Sequence, residues 1–513
     1  MKHDALWLAG QKMLAGFEGT EVTEELRQAV KEHKIGNIIL FQRNIVTTEQ
    51  TRALCSALRE LIEEETGLPP FIAVDQEGGV VSRMPADGTV TPSAMALAAT
   101  GDAQNAYVAG RVIGRELAAL GINLNLAPVL DVNSNVHNPV IGARSFGDDP
   151  AFVAACGTAM IRGIQESGVL ACAKHFPGHG DTVVDSHLGL PSVGKSLGEL
   201  ESCELIPFRA AVEAGVGAVM TSHILFPKIV GDDCVPATLS RRIITDLLRE
   251  QYGFAGLVIS DCMMMDAIAK DYGTVPSCAE ASRIGVDLIC VSHSPALAGE
   301  GCKAIRESVP MDALEASVAR IVAQKQHLPA LGSASVVGCE EHRRAIHALR
   351  EASLTQLGAR MPALGDNPLF VGCCLYQASR VSNPQAREIS FPKWMQARFG
   401  GTARVTAIDP DPAEIAEVIG LAQSCSCIVL NTYHGHLRPG QMKLMRALGE
   451  LNAPMVCVAL RDPYDLADLP ARACGLAAYE YSQDSLETVA KALRGELKPQ
   501  GRLSVTLEEK SCV

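Results

Sequence analysis

Between Lys174 and His187 the chain places three His, two Asp and one Lys. Asp185 and His187 are two apart. A carboxylate beside an imidazole fixes its tautomer and raises its basicity, as a general acid and base requires. Alone, the same residues are an ordinary Asp-Ser-His surface turn. Asp261 follows the apolar Leu257-Val258-Ile259-Ser260 and precedes Cys262-Met263-Met264-Met265. A carboxylate there is partly desolvated and suits nucleophilic attack; a helix N-cap suits it equally. His175 and His179 have the i,i+4 spacing of paired zinc ligands on a helix. Pro177 and Gly178 lie between them and forbid that helix. No metal and no cofactor are expected.

These residues need elements to hold them. Thr23 caps a helix that buries Leu26, Ala29 and Val30. Thr47 to Glu63 forms a second helix with Leu54, Leu58, Leu61 and Ile62 on one stripe, and Thr47 and Gln50 have capping-box spacing. Helical segments alternate with short apolar runs at 38–41, 71–74, 124–130, 169–173, 218–220, 257–259 and 288–291. That alternation predicts βα units and a parallel sheet; seven strands are visible and an eighth is not placed. Asp75, Asp131, Lys174 with His175, His223, Asp261 and His293 fall at or just past the C-terminal ends of these runs. In a (β/α)8 barrel those ends share one face, where active sites form. No GxGxxG follows the first strand, which argues against a dinucleotide fold. Asp75, Arg83, Asp131, Arg144 and Lys174 can grip hydroxyls or an anionic group, or serve as ion pairs at a barrel rim.

The 513 residues allow two or three domains, and the 47% hydrophobic and 20% charged content fits a soluble protein with a large core. Residues 1–328 are expected to form the barrel, 329–341 a linker and 342–513 a smaller α/β domain. In the latter, strand-like runs fall at 369–371, 427–430 and 455–460, and His434-Gly435-His436 reads as a plain loop. A net charge of -13 without Lys/Arg clusters gives no nucleic-acid signature. The 17 Cys show no paired spacing and read as thiols in a reducing compartment. No run approaches membrane-spanning length and no leader pattern opens the chain, so a cytoplasmic protein without membrane partners is expected. Aromatic residues are only 4%, which disfavours a long polysaccharide cleft.

With these residues assembled, the chain resembles glycoside hydrolase family 3, in its β-N-acetylglucosaminidase branch. The resemblance runs through Ala73-Val74-Asp75-Gln76-Glu77-Gly78-Gly79, Asn125-Leu126-Ala127-Pro128-Val129-Leu130-Asp131 and Asn138 to Gly147. Lys174 to Thr182 with Asp185-Ser186-His187 matches the branch signature. It implies a TIM-type barrel followed by an α/β sandwich, and a retaining mechanism. Asp261 would be the nucleophile, and His187, paired with Asp185, the acid/base. Asp75, Arg83, Arg144, Lys174 and His175 would hold the sugar, with Asp131 in or near that shell. The implied substrate is a small carbohydrate with a terminal β-linked N-acetylglucosamine, on a muropeptide or chitooligosaccharide. A neutral imidazole does not repel an incoming anion as a carboxylate would, so phosphate is an alternative acceptor. A non-catalytic sugar-binding protein is a weaker alternative, because a binder needs no Asp185, His187 and Asp261 together.

Overall fold

The structure is a computed structural model that describes residues 4–183, 189–231, 234–376 and 389–507. Eight parallel strands form the first sheet: β1 (Met13–Ala15), β2 (Asn37–Leu40), β3 (Phe71–Val74), β4 (Leu124–Asn125), β5 (Leu170–Phe176), β6 (Ala218–Thr221), β7 (Leu257–Ile259) and β8 (Ile289–Val291). β1 pairs with both β2 and β8. The bridge between Ile259 and Leu288 joins β7 to β8, so the sheet closes as a barrel. β1 is the strand that sequence patterning does not place: it has three residues, ends at Gly16 and follows Lys12. β4 is also shorter than its apolar run, because Ala127 precedes Pro128, which has no N–H to offer a ladder.

Local chemistry sets the helix boundaries. Thr23 accepts the Leu26 N–H at 3.3 Å, opening the helix Glu24–His33. Thr47 accepts the Gln50 N–H at 3.2 Å and opens Thr48–Thr66. The Gln50 amide oxygen takes the Val46 N–H instead of the Thr47 N–H, so the expected capping box closes one residue early. That helix buries Leu54, Leu58, Leu61 and Ile62 against the barrel and stops at Gly67, where φ is 75°.

The second sheet has β9 (Thr355–Gly358), β10 (Pro368–Cys373), β11 (Thr402–Thr406), β12 (Cys427–Thr432), β13 (Met455–Ala459) and β14 (Cys474–Ala477), in the order β11-β10-β12-β13-β14-β9. All pairs are parallel except β14 with β9. The inner strands β10, β12, β13 and β14 bury both faces, as parallel strands do, while the edge strands β9 and β11 stay partly exposed. Leu369, Val371, Ile428 and Leu430 enter one core; Phe370, Val429, Val456 and Val458 enter the other.

The two sheets are joined by shared packing. The helix Ala94–Ala99 gives Ala94, Leu97 and Ala98 to the barrel core and Met95, Ala96 and Ala99 to the core beneath the second sheet. Conversely, Ile346 and Leu349 of the helix Glu340–Ser353 pack into the barrel core. No helix among the described residues is long and apolar enough to cross a membrane.

Candidate active site

Asp75 follows β3, Asp131 lies beyond β4, Lys174 and His175 lie in β5, His223 follows β6, Asp261 follows β7 and His293 follows β8. The barrel therefore collects them at its C-terminal mouth, as their sequence positions predict. The loop after β3 is tightly held. Asn125 exchanges hydrogen bonds with the Gln76 backbone at 3.0 Å in each direction. The Gln76 side-chain oxygen accepts from Ser82 Oγ at 3.0 Å and the Arg83 N–H at 2.7 Å. Asp75 and Arg83 are thus placed by one amide network.

Glu77 is the buried hinge of the charges. Arg144 donates to both its oxygens at 2.8 Å, and Lys174 Nζ lies 2.7 Å from Glu77 Oε1 and 2.7 Å from Asp75 Oδ1. Burial alone would raise the Glu77 pKa, but Arg144 and Lys174 hold it well below the usual carboxylate range. Burial likewise opposes the charge of Lys174, yet Asp75 and Glu77 raise its pKa. Asp75 is the partly open member, with its side chain 16% exposed against 2% for Lys174. The Arg83 side chain is buried and feels the charges of both Asp75 and Glu77. Glu77 escapes a search for polar residues at strand ends because it lies three residues beyond β3, inside a glycine turn.

Asp131 organises the β5 end. Its Oδ1 accepts the backbone N–H groups of His175 at 3.2 Å and His179 at 2.7 Å, and its Oδ2 lies 2.7 Å from His175 Nδ1. Burial would raise its pKa, but His175 and His179 bring it down. Bonding of Nδ1 to a carboxylate sets the His175 tautomer and turns Nε2 away from Asp131. The Lys174–His175 and Phe176–Pro177 peptides are cis. His179 is buried against Thr182, and burial pushes its pKa down to about 4. Asp181 instead pairs with Lys195 at 2.9 Å. A side chain at Gly180 would strike the Val132 carbonyl, so the loop packs backbone to backbone there. Asp185 and His187 lie outside the described residues, which end before them at Val183 and resume at Gly189.

The Cys262 N–H donates to Asp261 Oδ1 at 2.7 Å. Burial raises the Cys172 thiol on β5, and the neighbouring Cys262 with burial raises that of Cys290 on β8; the Asp261 charge adds to both. The carboxylate therefore lies over the barrel mouth. The neighbouring Cys290 and Ser292 lower the Cys262 pKa against the opposing effect of burial. His223 sits behind this turn, its Nε2 3.0 Å from the Cys262 carbonyl oxygen and its Nδ1 2.8 Å from Thr238 Oγ1. His293 is exposed and stacks near Phe41, with ring centroids 5.2 Å apart. A cavity of about 690 Å³ opens between the barrel and the second sheet, lined among others by Gln42, Gly79, Tyr376, Tyr433 and Tyr481.

A closed parallel barrel with paired cations and carboxylates at its C-terminal mouth presents a site for a polar substrate. Residues 9–324 match the family profile described as "Glycosyl hydrolase family 3 N terminal domain". The chain belongs to glycoside hydrolase family 3, and it is a glycoside hydrolase. It is 30% identical to Beta-hexosaminidase A of Pseudoalteromonas piscicida, covering 95% of this chain and 92% of the relative. It is 35% identical to a Beta-hexosaminidase of Thiobacillus denitrificans over 62% of this chain and 88% of that one. Among solved structures, the family 3 beta-N-acetylglucosaminidase of Paenibacillus sp. str. FPU-7 superposes with a TM-score of 0.91 at 35% identity, covering 99% of this chain and all of the other. A beta-glucoside phosphorylase at 19% identity shares the fold, with a TM-score of 0.82.

Proposed function

We propose that the protein is a retaining exo-β-N-acetylglucosaminidase that releases terminal β-linked N-acetylglucosamine. The observation that carries the reading is Asp261 at the end of β7, at the same barrel mouth as the Asp75–Lys174–Glu77–Arg144 charge network. The names of the relatives supply the sugar. Asp75, Arg83 and His175 Nε2 grip its hydroxyls. Lys174 shares that task with its remaining N–H, while Arg144 fixes Glu77. Asp131 acts by orienting His175.

In the first step an Asp261 oxygen bonds the anomeric carbon as the glycosidic bond breaks, and the leaving oxygen takes a proton from His187. In the second, neutral His187 removes a proton from water. The new hydroxide bonds the anomeric carbon and the Asp261 ester bond breaks. Asp185 holds the His187 tautomer through both steps. The natural aglycone in this reading is a muropeptide or chitooligosaccharide fragment, met in the cytoplasm.

The test is turnover of an aryl β-N-acetylglucosaminide by the wild type, Asp261→Asn and His187→Ala. Asp261→Asn is expected to lose on the order of 10⁴-fold or more in kcat. His187→Ala loses about 10²–10⁴-fold on leaving groups that need protonation and far less on those that do not. Equal losses on both would remove His187 from the acid role. Parallel assays with and without phosphate decide the acceptor: a sugar 1-phosphate as main product replaces hydrolysis by phosphorolysis, and free sugar alone supports the hydrolase.

A further inference from the structure

The second domain carries a cluster that the sugar chemistry does not use. His434 and His436 flank Gly435 after β12, and Asp462 and Asp465 follow β13. One ligand atom from each of His434, His436 and Asp462 lies within 4.8 Å of the other two. His434 Nε2 and Asp462 Oδ2 are 3.3 Å apart, with side chains 4% and 0% exposed. Yet neither atom makes a hydrogen bond. Buried polar atoms normally have partners, so a pair of this kind calls for one.

The surroundings are those of a metal ligand set. Asp465 Oδ1 accepts both the His436 N–H and, at 2.8 Å, bonds His436 Nδ1. That arrangement leaves Nε2 as the lone-pair nitrogen and orients the ring, the usual support of a metal-binding histidine. Asp462 Oδ1 is taken by the Ala143 N–H at 2.8 Å, so its Oδ2 is the oxygen turned to the histidines. Arg461 Nε lies 3.3 Å from the same Oδ2; an oxygen with two lone pairs can serve both groups.

We propose that His434, His436 and Asp462 form a site for one first-row divalent cation of the Zn²⁺ type, set between the two domains. Two imidazoles and a carboxylate match that class of ion and leave a fourth position for water. With bonds of about 2.1 Å in a tetrahedral site, two ligand atoms stand about 3.4 Å apart, so a pair near the 4.8 Å limit closes by somewhat over an ångström on binding. The ion would tie β12 and β13 to the turn that carries Ala143 and Arg144.

The experiment is metal titration of the full chain after treatment with a chelator, using Zn²⁺ for affinity and Co²⁺ for the spectrum. One equivalent is expected to bind. The Co²⁺ form should show visible d–d bands without the near-ultraviolet charge-transfer band of thiolate ligands. His434→Ala should abolish this binding, and Asp465→Asn, which keeps all three ligands, should weaken it about 10–100-fold. A folded His434→Ala protein that binds as the wild type does, a thiolate band, or no binding by the wild type would each overturn the proposal.

Discussion

The Cys262 N–H holds Asp261 Oδ1 at 2.7 Å, which fixes the proposed nucleophile against the end of β7. The same residue carries a thiol whose pKa is lowered by the neighbouring Cys290 and Ser292. A thiolate reacts where a thiol does not, so Cys262 should alkylate at a lower pH than an ordinary thiol. The added group would sit beside Asp261, and hydrolysis of the aryl glycoside should fall in step with labelling. Peptide mapping against residual activity checks this; full activity in protein labelled at Cys262 contradicts it. Asp261 was legible in the sequence because one apolar run ends directly at it. The state of Cys262 was not, because Cys290 and Ser292 come from the neighbouring strand end and no local spacing reveals them.

At the scale of elements, the loops after β3, β4 and β5 act as one unit through Glu77 and Asp131. Removing the Glu77 charge leaves Lys174 and Arg144 buried with one anion fewer. Glu77→Gln should cost about 3–5 kcal/mol near neutral pH. The sign with pH follows from the depressed folded-state pKa of Glu77. Its contribution is complete above the unfolded value of about 4.3 and is lost as pH falls toward the folded one. Denaturant unfolding should therefore separate wild type and variant most above about pH 5 and bring them together in acid. A gap that is constant with pH would assign the cost to lost shape. The sequence shows which strand ends carry Asp75, Lys174 and Asp131, because each lies next to an apolar run. It does not show Glu77 as the common partner of Lys174 and Arg144, since that role depends on distant parts of the chain meeting.

Across the whole molecule, the barrel and sandwich share helices and a buried ion pair. Arg350 bonds Glu480 at 2.7 Å and the Val90 carbonyl at 3.1 Å, linking the helix Glu340–Ser353 to β14's following loop and to the barrel. Asn133 also donates to the Tyr464 hydroxyl at 2.6 Å. At Gly142, with φ 45°, a side chain would strike Asp462 Oδ1, so the barrel turn and the sandwich approach as bare backbone and carboxylate. Arg350→Ala leaves Glu480 uncompensated and should cost about 3–5 kcal/mol. It should also split a single calorimetric unfolding transition into two, the sandwich melting first. A single transition at the wild-type temperature would show that the domains do not depend on this pair. Barrel and second domain were legible as separate patterns of apolar runs. Their coupling was not, because Ala94–Ala99 is apolar all round and only the folded chain shows that it serves two cores.

The central claim is a covalent sugar on Asp261. Intact mass and peptide mapping of protein quenched during turnover of an activated N-acetylglucosaminide, with deglycosylation slowed by His187→Ala, test it directly. The account predicts one N-acetylglucosaminyl adduct, on the peptide containing Asp261 and at that carboxylate. An adduct on another residue, or turnover with no adduct at any time, contradicts it.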